Sequence, residues 1–157
     1  MTRSGIGWDS HRLVEGRPLV LGGVQVPDAP RGLEGHSDAD VLTHAVIDAL
    51  LGAAGLGDIG LHFPDTDERW RDADSIELLR TACSLVRDAG VSPLHVDATV
   101  VCEAPRLSPF RDEMRERLAD AVGLSVAAVN VKFTTAEKMG FIGRGEGVAA
   151  LAVATVS

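Results

Sequence analysis

The sequence predicts a single α/β domain of the α+β kind over residues 1–157: a mixed sheet covered by helices on one face, with the other face left for partner copies. Three observations carry this. Segments that alternate apolar and polar residues with period two are interleaved with segments whose apolar residues recur at i, i+3 and i+4, so strands and helices share one domain. Hydrophobic residues make up 45% of the 157 residues, which suffices for one real core and not for two. The last segment, Gly147 to Val156, is apolar on both faces and so needs cover on both sides. Three helices do not cover both faces of such a sheet, which points to a homo-oligomer built on the free one.

Taken in order, residues 5–12, G-I-G-W-D-S-H-R, predict a short strand. With a side-chain period of two, Asp9 and His11 point to the same face. Residues 18–26 predict a second strand, interrupted at Gly22-Gly23 by a bulge or bend. A Pro/Gly-rich stretch, Pro27 to Gly35, leads into a helix that ends near Ala54 at Gly55 and Gly57. Ser37 stands three residues before Asp40, the capping-box spacing, and reads as its cap. Val41, Leu42, Ala45, Val46, Ala49, Leu50 and Ala53 form its buried face, while Asp40, His44 and Asp48, each four apart, stack on a second. Residues 57–67 mix glycines, a proline and three aspartates and predict a structured loop. A helix follows Asp74-Ser75, buries Ile76, Leu79, Cys83 and Val86, and ends at Gly90. Residues 94–103 alternate as a strand. A third helix opens with Ser108 as N-cap and Pro109 at N1, carries Phe110, Met114, Leu118 and Ala121, and closes at Gly123. Residues 129–135 alternate as a strand before the final one.

Composition excludes several function classes. Aromatic residues are 4%, with no tyrosine, which leaves no stacking platform for single-stranded nucleic acid. The net charge of −8 repels nucleic acid and anionic membranes; a polyanionic substrate would need cations supplied locally. Cys83 and Cys102 lie in separate apolar runs and read as buried free thiols, too few for a cysteine-rich zinc site. The N-terminus has no leader-like apolar stretch, and no apolar run of about 18 residues occurs, so the expectation is a cytoplasmic protein.

Three constellations could carry chemistry. Asp9-x-His11 on a strand face plus His44 on a packed helix supplies three corners of a tetrahedron, and two histidines with a carboxylate and one open position make a catalytic zinc pattern. The bland alternative is a surface Asp and His beside a solvated acidic helix face. Asp58, Asp65 and Asp67 either bind sugar hydroxyls or a divalent ion, or cap local backbone. Residues 132–147, K-F-T-T-A-E-K-M-G-F-I-G-R-G-E-G, bring cations, hydroxyls and accessible backbone N–H groups together, which suits a phosphate loop although no helix is expected to follow. Gly5-x-Gly7 lacks the βαβ context of a dinucleotide fingerprint, and His62, His95 and both cysteines read as structural.

Six linked motifs make the whole chain resemble the family of 2-C-methyl-D-erythritol 2,4-cyclodiphosphate synthases. They are D-x-H at 9–11, G-H-S-D-x-D at 35–40, H-A-x-x-D-A-L-L-G-A-A at 44–54, G-D-I-G-x-x-F-P-D-T-D at 57–67, A-P at 104–105 and T-T-x-E-K-x-G-F-x-G-R-G-E-G at 134–147. The resemblance implies a homotrimer with active sites between subunits. It also implies metal-dependent cyclisation of 4-diphosphocytidyl-2-C-methyl-D-erythritol 2-phosphate with loss of CMP, a step of non-mevalonate isoprenoid biosynthesis. Zinc would sit on Asp9, His11 and His44, and a second ion, Mg2+ or Mn2+, on Glu137; His36 and Thr135 would stabilise the transition state. Substrate contacts would come from Asp9, Ser10, His11, His36 and Ser37, and, for the methylerythritol and ribose, from Asp58, Ile59, Gly60, Phe63, Pro64, Asp65, Thr66 and Asp67. Cys102, Ala104, Pro105, Arg106, Leu107 and Ser108, with Thr134, Thr135, Ala136 and Glu137, would take the cytidine and phosphates. Phe141 and Arg144 would lie at a threefold cavity able to hold an isoprenoid diphosphate. Asp40 and Asp48 read as groups that orient ligands or substrate. Arg106 keeps a positive charge where the family commonly has Lys, with a fork that is not equivalent to an ammonium. Two rival readings share the ligand set: a zinc phosphodiester hydrolase, and a non-catalytic zinc protein binding isoprenoid diphosphates through Arg144 and Glu146.

Overall fold

Strand β1 (Arg3–Val14) and helix α1 (Val41–Ala54) pack on each other, and the remaining elements are arranged round that pair in the computed structural model, which describes residues 1–157. The glycines of G-I-G explain the fit. A Cβ at Gly5 would overlap the carbonyl oxygen of Ala49, and one at Gly7 the carbonyl oxygen of Ala45. Bare glycine backbone on the strand and alanines on the helix let the two approach closely, and the same strand face carries Asp9 and His11 onward to His44.

The sheet has five strands in the order β4-β1-β7-β5-β6, with β4 (Gly32–Leu33), β5 (Pro93–Val101), β6 (Val129–Thr134) and β7 (Gly147–Val156). β7 runs antiparallel to β1, from Arg3↔Val156 to Arg12↔Gly147, and antiparallel to β5, whereas β5 and β6 are parallel from Val96↔Val129. The sheet is therefore mixed, as the sequence predicts. β1 is longer than its alternating stretch because pairing extends it: Leu13 lies opposite Leu33 at one end, and the polar Arg3 and Ser4 still pair with β7 at the other.

Helices α1, α3 (Ser75–Asp88) and α4 (Arg111–Val122) share one face of the sheet. Beneath them Val148, Ala150, Ala152, Ala154 and Val156 are buried beside Val96, Ala98, Val100, Val129 and Val131. The opposite face is uncovered in the chain alone. There Ile6 is 70% exposed, Trp8 51%, Leu151 36% and Val153 45%, while Asp97 accepts from Lys132 Nζ (2.6 Å) and Asn130 Nδ2 (3.0 Å) further across. The side chains of Ile6, Trp8, Leu151 and Val153 form a contiguous apolar patch, because Trp8 pairs with Leu151 and Ile6 with Val153. No helix is long and apolar enough to cross a membrane.

Several local expectations are corrected. Gly22-Gly23 is not a bulge but the turn of a hairpin between β2 (Val20–Leu21) and β3 (Val24–Gln25), with φ of 58° and 74°, the left-handed pair that a two-residue hairpin turn demands. Ser37 does not cap α1. Ala39 takes a left-handed φ of 58°, so the helix opens only at Val41 and Asp40 is its cap. Fully buried, Asp40 accepts from the N–H groups of Thr43 (3.0 Å), Gly22 (2.9 Å) and Gly23 (2.8 Å) and from the Thr43 hydroxyl (2.7 Å). It tethers the hairpin to α1 and is not on a helix face with His44. Residues 57–67 include a one-turn helix, α2 (Ile59–His62), capped by Asp58 through Leu61 N (3.0 Å). Ser108 caps nothing: a 3-10 turn, Ser108–Phe110, precedes α4, and its hydroxyl accepts from Arg106 Nε (3.0 Å). One further turn, α5 (Gly140–Gly143), sits inside the glycine-rich segment after β6.

Candidate active site

Asp9, His11 and His44 converge. One ligand atom from each lies within 4.8 Å of the others. Asp9 Oδ2 is 3.0 Å from His11 Nε2 and 3.1 Å from His44 Nδ1. The far nitrogen of each ring determines what these near nitrogens carry. His11 Nδ1 is 2.7 Å from the Glu34 carbonyl, which only accepts, so Nδ1 holds the proton and Nε2 is bare in the neutral ring. His44 Nε2 is 2.8 Å from Ser75 Oγ, and that hydroxyl gives its own proton to the Asp38 carboxylate. His44 Nε2 must then be the donor, and Nδ1 is bare. Two imidazole lone pairs and a carboxylate facing one another repel unless a cation lies between them. The donor set, two nitrogens and an oxygen with an open side, fits zinc.

The electrostatics agree. Burial works to raise the Asp9 pKa, but hydrogen bonds and charge from His11 and His44 outweigh it and bring it down to about 2. Burial lowers the His11 pKa, yet its hydrogen bond and charge pairing with Asp9 leave it raised. Both shifts belong to the metal-free alternative in which a ring nitrogen facing Asp9 carries a proton, so that positive charge lies between the three groups.

Asp9, His11 and His44 line a cavity of about 380 Å³. Of the residues expected beside them, His36, Ser37, Ile59, Gly60, Phe63, Pro64 and Asp65 line it too, with Gly35, Trp70 and Leu78, which the sequence reading did not single out. Asp58 and Asp67 are brought near it as caps: Asp58 starts α2, and Asp67 accepts from Arg69 N (2.9 Å) and pairs with the Arg69 guanidinium. Asp67 and Thr66 do not line the cavity. Asp48 accepts from Ile59 N (3.0 Å) and so fixes the start of α2 against α1. His36 Nε2 donates to the Asp67 carbonyl (3.0 Å), so toward a phosphate this ring is a donor at Nδ1 only as imidazolium.

The residues expected to hold the cytidine and phosphates form a second cavity, about 310 Å³, that shares no lining residue with the first. Cys102, Pro105, Arg106, Leu107, Ser108, Thr134 and Thr135 line it, joined by Glu103, Arg111 and Phe133, which sequence reasoning passed over. Ala104 and Pro105 are linked by a cis peptide bond. Ala136 and Glu137 follow in a loop where Glu137 and Lys138 both take left-handed φ, 52° and 62°. Glu103 holds that loop, accepting from Ala136 N and Lys138 N, each at 3.0 Å. Cys102 is buried and burial pushes its thiol up to about 11, so it serves as wall, not nucleophile. Phe141 lines a third cavity of about 280 Å³ with Ser10, Arg12 and Glu146, and Arg144 is paired with Glu146 at 2.9 Å.

Comparison with known proteins is consistent with this arrangement. The YgbB family model matches residues 2–157. The chain is 62% identical over 154 residues to the 2-C-methyl-D-erythritol 2,4-cyclodiphosphate synthase of Salinibacter ruber, covering 98% of each chain. A solved structure of 2C-methyl-D-erythritol-2,4-cyclodiphosphate synthase with CDP bound superposes with a TM-score of 0.90 at 42% identity, covering 99% of this chain and all of that one. The bifunctional IspDF of Campylobacter jejuni superposes with a TM-score of 0.95 at 45% identity; the match takes in 99% of this chain and 42% of that longer one.

Proposed function

The chain belongs to the YgbB family, and from that premise we propose that it converts 4-diphosphocytidyl-2-C-methyl-D-erythritol 2-phosphate to 2-C-methyl-D-erythritol 2,4-cyclodiphosphate and CMP, a step in isoprenoid precursor synthesis. The observation that carries the reading is the convergence of Asp9, His11 and His44 in a cavity lined by the family's motif residues. An oxygen of the 2-phosphate attacks the β-phosphorus in line. The bond from that phosphorus to the bridging oxygen breaks, and CMP leaves with the oxygen and its electron pair. The attacking oxygen is already ionised near neutral pH, so no strong general base is needed. The barrier lies in bringing two anions together, which calls for positioning and charge neutralisation.

Asp9, His11 and His44 are assigned to zinc and Glu137 to Mg2+ or Mn2+; ions held there neutralise and orient phosphate oxygens. His36 and the Thr135 hydroxyl are the donors assigned to the developing charge. Ile59, Gly60, Phe63, Pro64 and Asp65 enclose the methylerythritol end, and the cavity of Cys102, Pro105, Arg106, Leu107 and Ser108 takes the cytidine. Because the two cavities share no lining residue, one substrate is best accommodated where the first cavity of one protomer meets the second of its neighbour. A homotrimer built on the exposed Ile6–Trp8–Leu151–Val153 face would bring them together, with Phe141 and Arg144 at the shared cavity for an isoprenoid diphosphate. Substrate and ions are water-soluble, in keeping with a cytoplasmic enzyme.

The test pairs two variants. His44→Ala is expected to lose bound zinc and at least about 100-fold in turnover while the assembly persists, and Glu137→Ala to lose turnover while keeping zinc. Full activity in the His44 variant would show the metal assignment to be wrong.

A further inference from the structure

Behind His44 lies a chain of one buried and one half-buried group, Ser75 and Asp38, that the reaction as described does not use. Ser75, the first residue of α3, is fully buried, and its Oγ stands 2.8 Å from His44 Nε2. The same hydroxyl hydrogen-bonds Asp38 Oδ1, and the Ser75 backbone N–H donates to Asp38 Oδ2 (2.9 Å). Asp38 is itself fixed: its N–H donates to the Ala73 carbonyl (3.2 Å), and its Oδ1 also accepts from Asp40 N (3.1 Å). An ionised carboxylate only accepts, so the Ser75 proton is committed to Asp38 and the Ser75 oxygen is left as an acceptor. Ser37 Oγ, 3.3 Å from the same nitrogen, is a longer and weaker second acceptor.

We propose that Asp38 and Ser75 are positioning residues that lock His44 in its Nε2–H tautomer, with Nδ1 bare toward Asp9, and thereby set the affinity of the centre for its metal; this rests on the metal-site reading above. Free imidazole can place its proton on either nitrogen and rotate about the Cβ–Cγ bond. Here the wrong tautomer would put a lone pair against the Ser75 oxygen and a proton against the open side of the site. The negative charge of Asp38, passed through the Ser75 hydroxyl, also makes the ring a stronger electron donor. The pair fastens the start of α3 to the end of the 36–38 segment, so the ligand is held before any ion arrives.

The experiment measures zinc affinity by chelator competition in the parent, Ser75→Ala, Ser75→Thr and His44→Ala proteins, with 15N NMR of the His44 ring in metal-free parent and Ser75→Ala. Ser75→Ala is expected to bind zinc about 10- to 100-fold more weakly and to show a mixture of ring tautomers, while Ser75→Thr, which keeps the hydroxyl, recovers parent behaviour. Should Ser75→Ala fail to fold by circular dichroism, Ser75→Cys, with its poorer donor and acceptor in similar volume, takes its place under the same expectation. Zinc affinity within about twofold of the parent, with the ring still Nε2–H, overturns the proposal. Parent zinc affinity in His44→Ala overturns the metal-site reading and this inference with it; loss there with no loss in Ser75→Ala overturns this inference alone.

Discussion

Lone pairs that would repel one another are held together at Asp9, His11 and His44, and the far nitrogen of each ring is what keeps them there, tied to Glu34 for His11 and to Ser75 for His44. Asp40 does a different job close by. It is fully buried and satisfies three backbone N–H groups and a hydroxyl. Asp40→Ala therefore strips a helix cap and leaves buried donors unpaired, and the expected loss is at least about 2 kcal/mol, read as a lower denaturant midpoint. The convergence of Asp9, His11 and His44 was legible because strand and helix periods put them on facing surfaces. Asp40 was misread because helix periodicity was extended one turn too far, past a left-handed Ala39 that no pattern announces. Asp38 and Ser75 meet across 37 positions, a distance over which side-chain periodicity is silent.

The packing of β1 on α1 converts sequence into site geometry. Gly5 and Gly7 leave no room for a Cβ against the Ala49 and Ala45 carbonyls, so the strand bearing Asp9 and His11 lies as near the helix bearing His44 as backbone allows. Gly7→Ala is expected to force the two apart, costing about 1–3 kcal/mol or more in denaturant unfolding and weakening zinc binding together with it. Retained stability and affinity would mean that the close approach is not what sets the ligand spacing. The larger elements were legible: α1's end at Gly55, α3 from Ser75 and β7 over Gly147–Val156 all follow from period and caps. The short ones were not. The Gly22-Gly23 hairpin, α2 and α5 span so few residues that turn chemistry and tertiary contacts decide them, not periodicity.

For the whole molecule, the uncovered apolar face and the two cavities with no lining residue in common both support the proposed assembly of neighbouring copies. Trp8→Glu places a charge in the middle of that face, opposite Leu151, and is expected to shift the proposed trimer to monomer in sedimentation velocity and to abolish turnover, with Asp9, His11 and His44 intact. A fully active monomer would refute the proposal that the active site is shared between copies. That β7 is apolar on both sides was legible in the sequence, and one of its sides is left uncovered by the chain's own helices. The central claim, cyclisation and not hydrolysis or mere binding, is tested most directly by phosphorus NMR of the zinc- and magnesium-replete protein incubated with 4-diphosphocytidyl-2-C-methyl-D-erythritol 2-phosphate. The account predicts the coupled pair of signals of a cyclic diphosphate growing in step with CMP, whereas a linear hydrolysed product, or unchanged substrate, would contradict it.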